Sequence, residues 1–364
     1  MLSMAHVGMD VHKRSITVVI YPARGDTPLD RTRLPAEEYA VTGYLARWQQ
    51  QYDLRCYYEA GPGGYVVYRW LQRRRIACLV AAPSKMLRAS GDFVKTDRRD
   101  ARMLAEQGRN GQLTAVRVPT PEEEAVRGLV RCRETRQRDV LAARQRVLKF
   151  LALRGRDYTA GKHWTQAHRG WLGRQQFSGP DAWSYQEYCT DLSYREQRLA
   201  EADRQVSAVA QEEAVAPLVR ALCCFRGIDT LTAMLVVSET LDFRRFATAR
   251  QYMSYLGLTC CEASTGETHR RGQITKAGST RCRRALVEAA WHYRHGPAVG
   301  GRLAQRQAGQ PAQVIAHAWK AQKRLHKVFH KLAVKDPRKA AVAVARELAG
   351  FLWAVARMIA ADAE

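Results

Sequence analysis

The chain has 364 residues, and its 59 Lys and Arg outnumber its 35 Asp and Glu, which gives a formal net charge of +24. Because 46% of the residues are hydrophobic, the chain is too apolar for a disordered basic tail and should fold. At about 150 residues per domain, we expect two or three domains. The large positive excess favours a polyanionic partner.

Three sequence features bear on where the chain acts. No run of about 18 apolar residues occurs, and the first residues lack the basic segment, apolar stretch and cleavage site of a signal peptide. The nine cysteines form no C-x-x-C pair, and several lie in apolar runs, as reduced core thiols do. We therefore expect a cytoplasmic protein with no membrane span.

The first hundred residues alternate between strand-like and helix-like periods. Residues 5–10 and 15–21 have the pattern of two strands around a short polar turn, which predicts a hairpin. A helix, a strand, a helix and a strand are predicted to follow, at residues 36–51, 54–58, 64–74 and 76–80. This order predicts an α/β domain over residues 1–118.

From Pro121 onward the pattern is mostly helical. A long apolar stripe extends to Leu153 and helical spacing resumes over residues 185–213, which predicts a coiled-coil arm over residues 119–215. Residues 155–184 have no sustained period, so we expect a loop or insertion there. A mostly α-helical domain is predicted for residues 216–364, with a Gly-, Thr- and Ser-rich interruption at 258–278.

Four carboxylates stand where predicted elements begin or end. Asp10 and Glu59 end two strands, and Asp97 and Asp100 share one face of a helix that begins near Thr96. If they converge, they repel phosphate unless cations intervene, and hard oxygen ligands suit Mg²⁺. Two such ions would clamp the attacking and leaving oxygens of a phosphoryl transfer.

Each acid also has an ordinary structural explanation. An aspartate at a strand end commonly completes a turn or cap, and the helix dipole favours a negative charge in a first helical turn. Together, on an α/β domain that opens with a hairpin, the four acids resemble those of the ribonuclease-H-like fold of Holliday-junction resolvases. This joint pattern favours a metal site.

The C-terminal half contains a glycine turn between two predicted helices. Residues 222–233 are similar to a degraded helix–hairpin–helix, in which backbone amides around Gly227 would face a phosphate. The alternative is a plain helix C-cap, which glycine commonly provides.

Short sequence blocks give the pattern its specificity. They are Lys95-Thr96-Asp97-Arg98-Arg99-Asp100-Ala101, Ser264-Thr265-Gly266 and Ile274-Thr275-Lys276-Ala277-Gly278. With the helical arm, these blocks resemble the insertion sequence 110 family of transposases, recombinases guided by a structured bridge RNA. The resemblance covers most of the chain. It implies a ribonuclease-H-like, resolvase-like N-terminal domain, a coiled-coil connection and a C-terminal transposase domain with a serine nucleophile. Asp10, Glu59, Asp97 and Asp100 match the family's metal-binding tetrad, for which we expect Mg²⁺.

The resemblance places the nucleophile at Ser264. Family members often have Ser-Ser-Gly where this chain has Ser264-Thr265-Gly266, so only the first hydroxyl still belongs to a serine, and Thr265 is the alternative. Threonine carries a β-methyl group that restricts χ1 and crowds an in-line approach to phosphorus. A covalent phosphoserine link would store the bond energy and allow strand exchange without an external energy source. The chain departs from the family pattern at Cys260, where proline is usual, and at residues 155–184.

Basic residues cluster in three stretches: at residues 73–75, among the ten basic residues from Arg127 to Arg156, and near residues 320–331. Exposed charge runs are usually only solvated faces, but an excess without matching glutamates favours phosphate binding. The expected nucleic-acid contacts are Arg73, Arg74, Arg75, Gly227, Lys276, Arg281, Arg283, Arg284, Lys320, Lys323, Arg324 and Lys327.

The resemblance implies a DNA transposase that recombines donor and target DNA with a structured guide RNA, as a homo-dimer or tetramer. It would act in a prokaryotic cytoplasm and associate with the nucleoid when bound to DNA. Two other functions fit part of the sequence. A metal-dependent junction nuclease would use the four acids alone, with Ser264 as a loop cap. A non-enzymatic, nucleic-acid-binding architectural protein would use only the basic surfaces.

Overall fold

The computed structural model describes residues 2–87, 96–265 and 268–361, with the side chains of residues 263–271 outside that description. The chain divides into two compact units, Met1–Pro119 and Thr120–Glu364. Within the described ranges, no helix combines the length and the apolar character that crossing a membrane requires.

A mixed sheet forms the centre of the first unit. In the described part of this unit it has five strands: β1 (Ser3–Val11), β2 (Ser15–Pro22), β3 (Asp30–Pro35), β4 (Tyr52–Glu59) and β5 (Ala77–Ala81). Their order is β3-β2-β1-β4-β5; β1 is antiparallel to β2 and parallel to β4. Helices α1 (Glu38–Gln49), α2 (Val66–Arg73) and α3 (Asp97–Arg109) and a 3₁₀ turn (Pro83–Lys85) complete the unit. The predicted α/β domain that opens with a hairpin is confirmed.

Strand β3 was not predicted from the sequence. It pairs with β2 at the edge of the sheet, and its residues alternate between exposed and half-buried. An edge strand of this kind has a neighbouring strand on one side only, so its exposed residues can be polar. Its polar sequence, Asp-Arg-Thr-Arg-Leu-Pro, therefore gave no strand signal.

The sheet is buried on both faces. Val7 and Met9 of β1 pack with Leu45 of α1 on one face, whereas Tyr21 of β2 packs with Ala105 of α3 on the other. Burial on two faces explains why β1 and β2 are nearly continuous apolar runs rather than alternating ones.

Helix α3 lies directly on β1 at Gly8. A Cβ atom at this position would be 1.9 Å from the carbonyl oxygen of Ala101 and 2.7 Å from the amide nitrogen of Ala105. Only glycine permits so close a contact between the strand and the helix backbone. Since α3 begins at Asp97, this contact brings the start of the helix to the C-terminal end of β1.

The second unit begins with two long antiparallel helices. Helices α4 (Pro121–Ala152) and α6 (Gly179–Val209) pack together and are connected through a short helix, α5 (Gln166–Gly173). Arginines of α4, and one just beyond its C-terminal end, bind carboxylates of α6 at successive levels: Arg133–Asp203 at 2.6 Å, Arg144–Glu196 at 2.7 Å and Arg154–Asp181 at 2.5 Å. Residue numbers rise along one helix as they fall along the other, so the helices form a hairpin.

The prediction of a loop over residues 155–184 is wrong in part, because this segment contains α5 and the start of α6. His168 is fully buried at its centre. The rings of Tyr158, Trp164 and Trp171 surround His168 at centroid distances of 4.9, 5.1 and 5.8 Å. Packing around a single side chain leaves no helical stripe in the sequence, so periodicity could not reveal it.

Shorter helices and a β-hairpin form the remainder of the second unit. They are α7 (Ala216–Cys223), α8 (Thr230–Thr240), α9 (Ala249–Tyr255), β6 (Cys260–Thr265), β7 (Thr268–Ile274), α10 (Thr280–Ala290), a 3₁₀ turn (Trp291–Arg294), α11 (Gly301–Gln307), α12 (Ala312–Ala333) and α13 (Pro337–Ala361). Helix α13 contacts α7, α9, α10 and α12, and its Val344, Leu348 and Leu352 are fully buried. The predicted interruption at 258–278 corresponds to the hairpin.

Gly8→Ala should destabilise the first unit, because the added methyl group would overlap the backbone of α3. Overpacking a core typically costs about 1–3 kcal/mol, and a backbone neighbour yields less readily than a side chain. The measurement is the free energy of unfolding from urea denaturation followed by circular dichroism.

Gly43→Ala provides a matched control, since Gly43 lies within α1 and a Cβ there meets nothing within 4 Å. Alanine in this open helical position should raise stability by about 0.5–1 kcal/mol. Equal unfolding free energies for the two variants would contradict the close contact at Gly8.

Candidate metal centre

Among the described residues, the side chains of Asp10, His12 and Asp97 meet at the C-terminal end of β1. The Nε2 atom of His12 lies 3.1 Å from Oδ2 of Asp10 and 3.3 Å from Oδ1 of Asp97. One ligand atom from each of the three residues lies within 4.8 Å of the other two. Two carboxylates and an imidazole this close together form a donor set that fits a divalent cation.

Local structure places each of these side chains. Asp10 is near the end of β1, and His12 follows two residues later, so the strand period directs both to the same side. The amide of His12 donates a hydrogen bond to the carbonyl oxygen of Ser15 in the turn to β2. Asp97 is the first residue of α3, where the hydroxyl of the capping Thr96 accepts a hydrogen bond from the backbone of the first turn.

The electrostatics of the cluster favour a cation. Burial raises the pKa of Asp10, and the nearby charges of Asp97 and Asp100 raise it further, while His12 opposes them. The Asp10 side chain is 18% exposed, whereas those of Asp97 and His12 are 45% and 53% exposed. The centre is therefore anionic on its inner side and open to a ligand on its outer side.

The two other predicted acids, Glu59 and Asp100, lie at the margin of this cluster. Glu59 ends β4, one residue beyond the register pair of Met9 with Tyr58, so it is at the same sheet edge as Asp10. Asp100 is in the first turn of α3 and acts electrostatically on Asp10. The compact group itself includes neither of them.

His12 is the member of the cluster that sequence analysis did not assign. The signal was present, because an Asp-x-His pattern at a strand end puts both side chains on one face.

The β6–β7 hairpin contains Ser264 and Thr265. Their backbones pair with His269 and Thr268, so both residues lie in a strand rather than in an irregular loop. The side chains of residues 263–271 are outside the described part of the chain, as are residues 266–267 and Lys95.

The base of the hairpin is tightly fixed. Gly257 and Gly278 have φ values of 68° and 71°, and a Cβ on either would be about 2 Å from a backbone oxygen, at 2.1 and 1.9 Å. The guanidinium group of Arg283 donates hydrogen bonds to the carbonyl oxygens of Leu256, Ala277 and Gly278, at 3.1, 2.6 and 3.1 Å. Arg283 therefore joins the segment that enters the hairpin to the segment that leaves it.

Comparison with known proteins defines the family. A DEDD-type model described as "Transposase" matches residues 7–153, and a model described as "Transposase IS116/IS110/IS902 family" matches residues 219–300. The chain belongs to this transposase family. The first match contains all four predicted acids, and the second contains the hairpin.

Two relatives of the transposase are similar over most of its length. The putative transposase y4qE of Sinorhizobium fredii is 41% identical over 302 residues, which are 82% of this chain and 74% of the relative. The transposase for insertion sequence element IS1533 of Leptospira borgpetersenii is 33% identical over 339 residues, or 91% of this chain and 97% of the relative. The protein is thus a DNA-processing enzyme, and its DEDD-type domain indicates the use of a divalent metal.

Several arginines expected to contact nucleic acid have partners within the transposase. Arg281 and Arg284 bind the buried carboxylate of Glu134 at 2.5 and 2.6 Å. Arg73 pairs with Glu38 at 2.7 Å, and Arg324 pairs with Glu347 at 2.9 Å. With Arg283 in the hairpin base, these residues have structural roles in the described conformation.

The expectation that the basic residues from Arg127 to Arg156 have no matching glutamates is wrong in part. Their partners are carboxylates on α6 and Glu239 on α8, which binds Arg131 at 2.6 Å. These acids are remote in sequence, so a local count of charge could not find them.

The turn at Gly227 is also enclosed by protein. A Cβ there would be 2.7 Å from the carbonyl oxygen of Ala289 in α10, and the amide of Ile228 already donates to Phe225. Arg74, Arg75 and Lys276, by contrast, are exposed.

Lysines on α12 form the basic surface with the fewest internal partners. Lys320, Lys323, Lys327 and Lys331 are exposed and make no ion pair within the described residues. At 100° per residue they fall within a single stripe along the helix. We call these four residues the lysine stripe.

Asp10→Asn should stabilise the first unit when metal is removed with EDTA. Folding raises the pKa of Asp10, so the ionised carboxylate opposes the fold, and this cost grows as the pH rises through the raised pKa. The gain should therefore be larger at pH 7.5 than near pH 4. Hydrogen–deuterium exchange of β1 and α3 measures the local free energy of opening.

The matched control is Asp157→Asn, because Asp157 is exposed and belongs to the second unit. It should leave exchange in β1 and α3 unchanged at both pH values. A loss of stability in Asp10→Asn at neutral pH without metal would mean that burial and the neighbouring aspartates do not make the ionised Asp10 unfavourable in the fold.

Proposed function

We propose that this transposase moves an insertion sequence by RNA-guided strand exchange through a covalent phosphoserine intermediate, aided by Mg²⁺. The observation that carries the proposal is the meeting of Asp10 and Asp97 with an imidazole at one sheet edge. The two carboxylates repel an anionic substrate unless a cation lies between them. Metal centres of this kind act on phosphodiesters.

The proposed chemistry has two phosphoryl-transfer steps, each with its own nucleophile. The hydroxyl oxygen of Ser264 loses its proton to solvent and bonds to phosphorus, while the deoxyribose oxygen of the cut strand leaves and takes up a proton. The free hydroxyl of the partner strand then attacks the phosphoserine, which restores the phosphodiester and releases the serine. A divalent cation bound by Asp10, Glu59, Asp97 and Asp100 would supply positive charge against the developing phosphorane.

The architecture supports finer assignments that we also propose. The strand order β3-β2-β1-β4-β5, with acids at the ends of β1 and β4, supports a ribonuclease-H-like, resolvase-like domain at residues 1–118. The α4–α6 hairpin supports a coiled-coil arm at residues 119–215. Residues 216–364 would then be the transposase domain, with its nucleophile on the hairpin β6–β7.

The partners are proposed from charge. The net charge of +24, the lysine stripe and the exposed Arg74, Arg75 and Lys276 support binding of donor and target DNA and of a structured guide RNA. Strand exchange between two duplexes needs two or more active centres, which supports a homo-dimer or tetramer. We propose that the assembly acts in a prokaryotic cytoplasm.

A metal-dependent junction nuclease is the second candidate. The observation that favours it is that Asp10, His12 and Asp97 all belong to the first unit. Hydrolysis at such a centre would need no group from the hairpin.

Ser264→Ala should abolish a covalent protein–DNA species on a denaturing gel, because it removes the attacking hydroxyl. Thr265→Ala is the matched control: it deletes the adjacent hydroxyl and should weaken the adduct without removing it. Peptide mapping of the parent adduct by mass spectrometry should place the phosphodiester remnant on Ser264.

The other outcomes separate the rival functions. An adduct that survives Ser264→Ala but not Thr265→Ala would move the nucleophile to Thr265. Metal-dependent cleavage without any adduct in the parent protein would favour the junction nuclease. Binding without cleavage would favour a non-enzymatic architectural protein.

Replacing Lys320, Lys323 and Lys327 by Gln together should weaken binding of the proposed guide RNA, for which the probe is RNA extracted from the purified protein. The logarithm of the binding constant falls linearly with the logarithm of the salt concentration. Each lost phosphate contact makes this slope less steep, by about 0.7 on single strands and about 0.9 on duplex DNA. Filter binding over a range of salt concentrations gives the slope.

The control variant replaces Lys162, Lys335 and Lys339, which removes the same charge from scattered exposed positions. If both variants lower the slope equally, the lysine stripe is not a specific surface. Recombination that continues after complete RNA removal and nuclease treatment would contradict guidance by RNA.

A further inference from the structure

His12 lies at the centre of the carboxylate cluster, although it is not one of the four predicted acids. Its Nε2 atom approaches Oδ2 of Asp10 and Oδ1 of Asp97 at nearly equal distances, 3.1 and 3.3 Å. In an octahedral site with ligands at about 2.1 Å, neighbouring ligand atoms are about 3.0 Å apart. Each carboxylate oxygen therefore lies from the imidazole nitrogen at the spacing of adjacent ligands around one ion.

Backbone contacts hold His12 in place, although its side chain is exposed. His12 follows β1 directly, and its amide bonds to Ser15 in the tight turn to β2. On the other side, the contact of α3 with Gly8 sets the start of the helix, where Asp97 lies. The ring is about half exposed, so water can serve its second nitrogen.

We propose that His12 is an inner-sphere ligand of the divalent ion held by Asp10 and Asp97, so that the centre binds Mn²⁺ more tightly than the Mg²⁺ proposed above for strand exchange. Mg²⁺ favours oxygen ligands and retains its waters, whereas imidazole suits transition metals. A set of nitrogen and oxygen donors therefore raises the affinity for Mn²⁺ relative to Mg²⁺. The inference rests on the proposed metal dependence of this centre, and it adds a ligand and a selectivity.

The alternative is that His12 only balances charge. A protonated imidazole between two carboxylates would be a substitute for the cation, and it would move away when the ion binds. The two cases differ in one observable, which is whether nitrogen is bonded to the ion.

The test uses Mn²⁺ alone as the probe, on the full chain, with electron spin echo envelope modulation. The parent protein should show modulation from a directly bonded ¹⁴N, and labelling with ¹⁵N-histidine should convert it to the ¹⁵N pattern without any mutation. His12→Gln, which replaces the nitrogen with an oxygen donor of similar reach, should lose the signal. Its Mn²⁺ dissociation constant should rise about tenfold or more, since even loss of an outer partner costs about 10–100-fold.

Competition with Mg²⁺ measures the selectivity. In His12→Gln, a smaller excess of Mg²⁺ should displace half of the Mn²⁺ than in the parent. The matched control is His330→Gln, because His330 is an exposed histidine of the second unit that contacts the carbonyl oxygen of Arg294. It should leave both the modulation and the Mg²⁺ excess unchanged.

Two results would overturn the inference. One is Mn²⁺ bound to the parent without histidine nitrogen modulation, and the other is modulation that persists in His12→Gln. Failure of the serine mechanism is distinguishable, because a nitrogen signal with no covalent DNA adduct would retain the His12 ligand and reject only the phosphoserine step.

Discussion

The contact between α3 and β1 at Gly8 is the constraint on which the metal centre depends. A strand end and a helix start from distant parts of the sequence meet because no side chain separates their backbones at that point. The helix runs back along the strand from Asp97, so its first turn lies beside Asp10. The energy of core packing thereby holds two carboxylates together against their mutual repulsion. A bound cation would relieve this repulsion, which links the fold of the first unit to its chemistry.

Charge has two separate roles in this transposase. Many arginines of the second unit form ion pairs within the protein. Glu134 and Glu239 are buried and bind arginines from other helices. Removing one partner of such a pair leaves an uncompensated buried charge, which is strongly destabilising. The lysines of the stripe have no such partners in the described conformation and remain available to phosphate. The net charge therefore overstates the surface that is available to bind phosphate.

Sequence reasoning predicted what depends on local periodicity. The opening hairpin, the long helix α4 and the helix start at Asp97 followed from apolar spacing and capping, and they agree with the structure. It missed β3, which is polar because it lies at the sheet edge, and the packing around His168, which has no period. It also could not find the internal partners of Arg281, Arg283 and Arg284, because these carboxylates and carbonyl groups are remote in sequence or lie on the backbone. His12 was not assigned, because its approach to Asp97 joins two residues that are far apart in the sequence.

The central claim is that Asp10 and Asp97 hold a divalent cation at the end of β1. Anomalous X-ray diffraction from a crystal of the full chain grown with Mn²⁺ tests it most directly. The account predicts an anomalous peak at bonding distance, about 2 Å, from a carboxylate oxygen of each residue. A crystal with Mn²⁺ bound elsewhere, and none between Asp10 and Asp97, would contradict it.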